Sequence, residues 1–93
     1  MVSAIITTFN RAGFIGRAIR SILGQNFKDF ELIVLDNGST DDTESVVKSF
    51  DDRRIVYVKH EPMGISAARN LGVKMARGEF VCAAGIYQGR WLD

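Results

Sequence analysis

Short β-branched apolar runs alternate along this chain with segments whose apolar residues recur at helical spacing. Residues 2–8 (VSAIITT), 30–35 (FELIVL), 54–59 (RIVYVK) and 79–83 (EFVCA) have the composition of buried strands. Residues 14–23 and 65–76 each carry one apolar face at a spacing of three and four, which predicts two helices. Asp41, with Glu44 three residues on, is typical of a capped start to another helix. The predicted order is therefore β-α-β-α-β-α-β.

This order predicts the fold class. Short right-handed crossovers between successive strands give an α/β, Rossmann-like parallel sheet with helices on both faces. Gly24 is placed as a left-handed cap of the first helix, Pro62 enforces a loop over residues 60–64, and the periodicity is lost after Ala84. Ligands of such sheets bind beyond the carboxyl ends of the strands, here residues 7–10, 36–39 and the segment after Ala83.

Composition and charge narrow the function classes. The chain has 93 residues, 46% of them hydrophobic and 25% charged, which is typical of one ordinary globular domain. The net charge of +1 argues against a nucleic-acid backbone as the partner. No apolar run reaches the roughly 18–20 residues of a membrane span. The single cysteine, Cys82, cannot form an internal disulfide, which is consistent with a reducing cytosol. Because it lies in an apolar strand, Cys82 is interpreted as a small core residue.

The first candidate site follows the second strand. Asp36 can accept a hydrogen bond from a ribose hydroxyl or a base N–H, and Gly38 lets the backbone approach a ligand closely. An ordinary turn is the alternative, because Asp, Asn, Gly and Ser are the preferred turn residues. The residues by themselves leave both interpretations open.

Two further candidates lie after the loop at residues 60–64 and after the first strand. A helix that begins near Gly64 offers free N–H groups to an anion, and Arg69 can bind a diphosphate bidentately, although an ordinary surface arginine is the alternative. Phe9 can stack on a base and Thr8 can bond a nucleoside edge, although spacing alone favours a core position for Phe9. His60 lacks triad partners, and neither a phosphate-loop pattern nor a Gly-x-Gly-x-x-Gly pattern occurs.

Five segments together resemble the family 2 glycosyltransferases. They are residues 2–11 (VSAIITTFNR), 18–25 (AIRSILGQ), 30–41 (FELIVLDNGSTD), 64–70 (GISAARN) and 76–80 (ARGEF). The resemblance implies a GT-A fold that binds a nucleoside-diphosphate sugar, usually of the uridine type. It implies that Thr8, Phe9, Asp36 and Asn37 hold the nucleoside and that Arg69 faces the diphosphate. Asn37 stands where many members carry a second aspartate.

The chain departs from the family pattern after its fourth strand. Members carry an Asp-x-Asp motif there, whose carboxylates hold Mg²⁺ or Mn²⁺ on the diphosphate. By spacing the motif falls near residues 85–87, where this chain has Gly85, Ile86 and Tyr87. The acceptor half of the family's domain, with the base that deprotonates the acceptor hydroxyl, falls beyond Asp93. We therefore expect no metal site, no catalytic residue within the 93 residues, and no activity of this chain alone.

Three interpretations of this departure stay open. The chain is a truncated nucleotide-diphospho-sugar-binding domain over residues 1–93, a non-catalytic binding or oligomerising remnant, or a fold that binds nothing. The family's sheet places the first strand between the second and the fourth, so the segment Phe80 to Cys82 would form a bare edge that favours a homo-oligomer. The resemblance also implies cytoplasmic, cell-envelope polysaccharide biosynthesis, at the inner face of the membrane.

Overall fold

The computed structural model describes residues 1–25, 28–87 and 90–92. Its strands are β1 (Val2–Thr8), β2 (Phe30–Asp36), β3 (Ile55–Lys59), β4 (Phe80–Tyr87) and β5 (Arg90–Leu92). Its helices are α1 (Ala12–Leu23), α2 (Thr43–Lys48) and α3 (Ile65–Met75). The predicted order is confirmed through β4, and β5 follows it as an element that the pattern did not predict. Among these residues no helix is long and apolar enough to cross a membrane.

The sheet has β1 at its centre. The strand order is β3-β2-β1-β4-β5. β1 runs parallel to both β2 and β4, and β2 runs parallel to β3. The predicted Rossmann-like parallel sheet, with β1 between β2 and β4, is therefore confirmed. The register places Thr8 beside Asp36 on one side and Ile86 on the other, which brings the ends of three strands together.

Helices cover the two faces of the sheet, as predicted. α1 and α2 pack on one face, where the core consists of Ile6, Ile15, Ala18, Ile19, Phe30, Leu32, Val34 and Val47. α3 packs on the other face, against Ile5, Ile33 and Leu35. β2 is buried along its whole length, which explains why its sequence is a continuous apolar run and not an alternating one. A Cβ on Gly72 would lie 2.6 Å from Ile5 Cγ2, so a glycine is what allows α3 to approach β1.

The fourth strand is longer than its sequence pattern predicts. Residues 79–83 were expected to form it, whereas β4 extends from Phe80 to Tyr87. Its outer side pairs with the antiparallel β5 through Gly85–Leu92, Ile86–Trp91 and Tyr87–Arg90. Hydrogen bonding to β1 and β5 extends the strand beyond the point where side-chain periodicity ends, and no local pattern reports such pairing.

The prediction that Cys82 is a core residue is wrong. Cys82 is exposed, and its neighbours Phe80 and Val81 are 66% and 43% exposed. Cys82 lines an open apolar groove together with Val2, Ala4, Ile22, Gln25 and Phe30. The reason is position in the sheet, because the helix that covers the start of β1 leaves the start of β4 open.

Two cap predictions also need correction. Gly24 has φ −81° and ψ −2°, a right-handed conformation, and its N–H donates to the Arg20 carbonyl at 3.0 Å. Glu44 does not close a capping box but pairs with Lys48 at 2.7 Å. The N-cap residue of α2 is Asp42 and not the predicted Asp41, and the Asp42 side chain makes no cap hydrogen bond. The Asp41 carboxylate lies beside both helix starts, where it accepts from the Thr43 N–H at 3.0 Å and from the Ala12 N–H at the start of α1 at 3.2 Å. One carboxylate therefore serves two helix starts.

Candidate functional site

The carboxyl ends of β1 and β2 bring the first predicted site residues together. Thr8 and Asp36 are register partners at the ends of these strands. The Asn37 N–H donates to the Thr8 carbonyl at 2.8 Å, which continues the ladder by one step. Phe9 follows Thr8 directly, so four of the five predicted nucleoside and diphosphate residues meet at this edge.

Asp36 is buried completely, and both of its carboxylate oxygens are engaged. One accepts from the Ser39 N–H at 2.8 Å, and the other accepts from the Tyr57 hydroxyl at 2.6 Å. Burial and the Asp36 carboxylate raise the pKa of Tyr57 well above its usual value. Asp36 thus joins the loop after β2 to the neighbouring strand β3.

Asn37 fixes the loop that leads into α3. Its Oδ1 accepts from the Met63 N–H at 2.8 Å, and its Nδ2 donates to the Met63 carbonyl at 2.7 Å. Gly38 beside it has φ +84°, and a Cβ there would lie 2.8 Å from Pro62 Cγ. The backbone at Gly38 therefore approaches Pro62 closely in a left-handed conformation that favours glycine.

The side chains after β1 differ sharply in exposure. Phe9 is 38% exposed, so the prediction of a core position, which spacing alone favoured, is wrong. Thr8 is fully buried, and its hydroxyl oxygen has no hydrogen-bond partner. An exposed aromatic ring therefore stands next to a buried polar group with unused hydrogen-bonding capacity.

Unpaired buried polar atoms gather at this same edge of the sheet. Among the described residues, the buried side-chain nitrogen and oxygen atoms without a partner belong to Thr7, Thr8, Arg11, His60 and Arg69. Thr7 and Thr8 end β1, Arg11 precedes α1, and His60 follows β3. An unpaired buried donor or acceptor costs about 1–3 kcal/mol, and such groups in native proteins call for a physical explanation.

Arg69 lies in the second turn of α3, whose N-terminus begins at this edge. Gly64 precedes the helix in an extended conformation, with φ −62° and ψ 156°, and no side chain caps it. Arg69 is half-buried, and its Nη2 is buried without a partner. A helix start and an unpaired guanidinium N–H are both suited to bind an anion.

Sequence reasoning missed three of these residues. Thr7 was not singled out because a β-branched residue in a strand signals packing. Arg11 carries no spacing signal, and His60 had been given only a structural role. His60 also lines a groove at the edge, together with Gly38, Ser39, Thr40, Lys59, Glu61 and Pro62. Their position at or shortly after a strand end is the one sequence signal that applies to all three.

The β4 positions at this edge do not offer the ligands that a divalent cation prefers. The register places Gly85 and Ile86 beside Thr7 and Thr8, at the positions where the family resemblance implies an Asp-x-Asp motif. Residues 83–92 contain no aspartate or glutamate, and Mg²⁺ and Mn²⁺ prefer carboxylate oxygens. In the described part of the chain, no group of three or more His, Cys, Asp or Glu side chains could hold a metal.

Comparisons with known proteins point to one family. The sequence model of the protein family "Glycosyl transferase family 2" matches residues 3–83. A Campylobacter jejuni protein, GalNAc(5)-diNAcBac-PP-undecaprenol beta-1,3-glucosyltransferase, is 45% identical over 84 residues, covering 86% of this chain and 27% of that protein. Validoxylamine A glucosyltransferase of Streptomyces hygroscopicus is 42% identical over 81 residues, covering 82% of this chain and 19% of that protein.

Solved structures agree with this match. TarS 1-349 of S. aureus, in complex with UDP, superposes with a TM-score of 0.83 at 30% identity, covering 90% of this chain and 26% of that one. Mannosyltransferase PcManGT of Pyrobaculum calidifontis, in complex with GDP-Man and Mn²⁺, superposes with a TM-score of 0.78 at 31% identity, covering 86% and 25%. The chain thus spans between 19% and 27% of the length of these four relatives.

Proposed function

Because this chain belongs to glycosyl transferase family 2, we propose that it binds a nucleoside-diphosphate sugar at the carboxyl edge of its sheet. The observation that carries the proposal is the gathering of unpaired buried polar atoms at that edge. Such atoms are costly unless a ligand supplies their partners. We propose a uridine-type nucleotide, in keeping with the UDP complex of the TarS neighbour, and a guanosine nucleotide is the competing candidate because PcManGT binds GDP-Man.

We assign a role to each of the predicted residues. Phe9 stacks on the base, and the Thr8 hydroxyl bonds the nucleoside. Asp36 and Asn37 form one wall of the nucleoside pocket. Hydrogen bonds from the Tyr57 hydroxyl to Asp36 and from the Met63 N–H to Asn37 hold this wall in place. Arg69 and the start of α3 bind the diphosphate, since both offer unpaired N–H groups to an anion.

We propose that residues 1–93 form a single binding domain that does not transfer sugar by itself. Transfer to an acceptor hydroxyl requires a base and stabilisation of the leaving diphosphate. The β4 positions beside Thr7 and Thr8 are Gly85 and Ile86, which carry no carboxylate, so binding is proposed to need neither Mg²⁺ nor Mn²⁺. In a longer protein of the relatives' size, the transfer step would depend on residues outside these 93.

Calorimetric titration tests this proposal. UDP and GDP are each titrated into the chain, with and without Mn²⁺, and the titrations are repeated with Arg69→Ala. Loss of the guanidinium is expected to weaken binding about 10- to 100-fold, as for a charge-assisted hydrogen bond. Arg53→Ala is the matched control, because Arg53 is exposed and precedes β3 at the opposite edge of the sheet.

The outcomes separate the components of the proposal. Binding that weakens in Arg69→Ala but not in Arg53→Ala supports the diphosphate site. A tenfold gain with Mn²⁺ would overturn the metal-independent binding mode. No heat signal with either nucleotide at millimolar concentration would overturn the function itself and leave only a shared fold with the family.

Self-association is a second candidate property, favoured by the start of β4. Phe80 and Val81 are 66% and 43% exposed, and within the described residues β5 pairs with positions 85–87 of the same strand, not with its start. An exposed apolar edge invites pairing with another chain, so we propose a homo-oligomer through the Phe80–Cys82 edge. Size-exclusion chromatography with light scattering should show a dimer or larger species that Val81→Lys dissociates, and a monomer at high micromolar concentration would refute it.

Location belongs to the same proposal. A cytoplasmic site at the inner face of the membrane, in cell-envelope polysaccharide biosynthesis, is supported by the single cysteine and by the undecaprenol-linked name of the Campylobacter relative. Fractionation of cells that express the chain would test it. Recovery from the cytoplasmic and inner-membrane fractions is expected, and recovery from an extracytoplasmic fraction would contradict it.

A further inference from the structure

The loop after β1 contains an unusual backbone conformation at Asn10. Asn10 has φ 49°, a left-handed value that no other non-glycine residue adopts in the described parts of the chain. Asparagine tolerates this region better than most residues, but a cost of about 1–2 kcal/mol per residue is typical for side chains in general. Residues held in such conformations persist where the surrounding contacts determine them, often at ligand sites.

Hydrogen bonds with Ser39, Thr40 and Asp41, in the loop after β2, hold Asn10 in this conformation. Its backbone N–H donates to Ser39 Oγ at 2.8 Å. Its Oδ1 accepts from the Thr40 N–H at 2.7 Å and from the Asp41 N–H at 3.3 Å. Ser39 is itself 2% exposed and donates its backbone N–H to Asp36. Asn10 therefore joins two loops into one unit.

Phe9 lies between two fixed points of the backbone. On one side, the Thr8 carbonyl accepts from the Asn37 N–H at 2.8 Å. On the other side is Asn10, held by the contacts just described. The residue between them is nevertheless 38% exposed, so its backbone is restrained while its ring faces outward. When a residue that contacts the ligand is already restrained in the free protein, less conformational entropy is lost on binding.

We infer that Asn10 is a positioning residue, which fixes the backbone of Phe9 so that the Phe9 ring is preorganised to stack on the nucleotide base. The inference rests on the proposed function, because it presupposes a nucleotide at this edge. It assigns Asn10 no contact with the ligand. Asn10 is therefore expected to affect binding of the base and not of the diphosphate, since the diphosphate is proposed to lie at Arg69 and the start of α3.

The test compares two probes, UDP and inorganic pyrophosphate, by calorimetry; GDP replaces UDP if it binds more tightly. Phe9→Leu is expected to weaken UDP binding about tenfold, within the range found for stacking of a base on an aromatic ring. Asn10→Ala is expected to weaken UDP binding about fivefold to tenfold, and neither variant changes pyrophosphate binding. The double variant should bind UDP no more weakly than Phe9→Leu alone, because both changes remove the same stacking contact.

Two milder variants keep the test informative if Asn10→Ala unfolds. Asn10→Gly keeps the left-handed conformation but loses the Oδ1 acceptor, and is expected to give a smaller loss, about threefold. Ser39→Ala removes only the acceptor of the Asn10 N–H, and should reproduce the loss on UDP in weaker form without affecting pyrophosphate. Urea unfolding of each variant confirms that the titrated protein is folded.

The results distinguish this inference from the proposed function. If the wild-type chain binds neither of the two nucleotides nor pyrophosphate, the proposed function fails and the role of Asn10 fails with it. If the wild-type chain binds UDP but Asn10→Ala weakens both probes equally, Asn10 has only a structural role. Full additivity of Phe9→Leu and Asn10→Ala would likewise overturn the inference and leave the proposed function standing.

Discussion

At the amino ends of the strands, the buried carboxylate of Glu31 accepts hydrogen bonds from the Ser3 hydroxyl at 2.6 Å and the Arg77 N–H at 2.7 Å. Ser3 Oγ in turn accepts from the Gly78 N–H at 2.8 Å. At the carboxyl ends of the same sheet, the hydroxyls of Thr7 and Thr8 are as deeply buried and have no partner. β1 thus begins in a completed polar network and ends in an incomplete one.

The difference shows what each end contributes. Burial by itself would raise the pKa of Glu31, but hydrogen bonds from Ser3 and Arg77, together with the Arg77 charge, outweigh it and the pKa is lowered. The ionised Glu31 is therefore stabilised by the fold. Unpaired groups at the other edge reduce stability instead, and a ligand can compensate by supplying their partners. We interpret the amino edge as the stabilising end and the carboxyl edge as the binding end.

The largest expected effect is loss of stability in Glu31→Ala. The change leaves the Ser3 hydroxyl and the Arg77 N–H without their acceptor, at a cost of about 3 kcal/mol in the free energy of unfolding. Urea unfolding measures it, with the exposed Glu79→Ala as the control. Nucleotide affinity of the folded protein should not change. A loss below about 1 kcal/mol would show that the network contributes little to stability.

Gly38→Ala tests the backbone of the binding end. The new Cβ would occupy a left-handed conformation and lie 2.8 Å from Pro62 Cγ, so a loss of about 2 kcal/mol is expected. Gly13→Ala in α1 is the matched control, since a Cβ there meets no atom within 4 Å and alanine favours a helix by up to about 1 kcal/mol. Equal effects of the two variants on the urea midpoint would contradict the constraint at Gly38.

Removing one hydroxyl at each end should give effects of opposite kind. Ser3→Ala loses a paired oxygen and should lower the free energy of unfolding by about 1–2 kcal/mol. Thr8→Val replaces an unpaired buried oxygen by a methyl group and should leave stability unchanged or raise it by up to about 1 kcal/mol. Thr8→Val should also weaken UDP binding in calorimetry, while Ser3→Ala should not. Equal destabilisation by both would remove the contrast between the ends.

The smallest effect is expected from pH. Because the pKa of Glu31 is lowered on folding, its contribution to stability is complete above its unfolded-state pKa near 4.5 and is lost as the pH falls through its lower folded-state value. The urea midpoint should therefore fall on acidification from pH 5 to pH 3, and less steeply in Glu31→Gln. Some slope remains in the variant, because Arg54 lowers the pKa of Asp52 to about 2. If the urea midpoint depends on pH equally steeply in the wild-type chain and in Glu31→Gln, groups other than Glu31 cause the acid sensitivity.

Much of the fold could be predicted from local pattern. β1 was predicted at its observed bounds, and β2, β3 and α3 within about one residue, because buried strands and amphipathic helices leave a period in the sequence. β5 could not be predicted, since three residues carry no period and their pairing with β4 is a tertiary contact. The exposure of Cys82 was missed for a similar reason, because an apolar strand has the same composition on a covered face and on an open one.

The candidate site was predictable in place but not in its contacts. Parallel strands end at one edge, so the meeting of Thr8 with Asp36 follows from the strand pattern. The bond from Tyr57 to Asp36 joins residues 21 positions apart, and the bonds between Asn37 and Met63 join residues 26 positions apart. No spacing rule relates such pairs, so their partners could only be found in the folded chain.

The sequence by itself determined the element order, the apolar faces and the absence of carboxylates at residues 85–87, because each of these is a property of residue identity or of local period. Only the tertiary structure decided which buried polar groups have partners. Ser3 and Thr8 both carry a hydroxyl on β1, yet one is paired and the other is not. That difference depends on Glu31 and Gly78, which lie far from β1 in the chain and reach it only through the packing of the sheet.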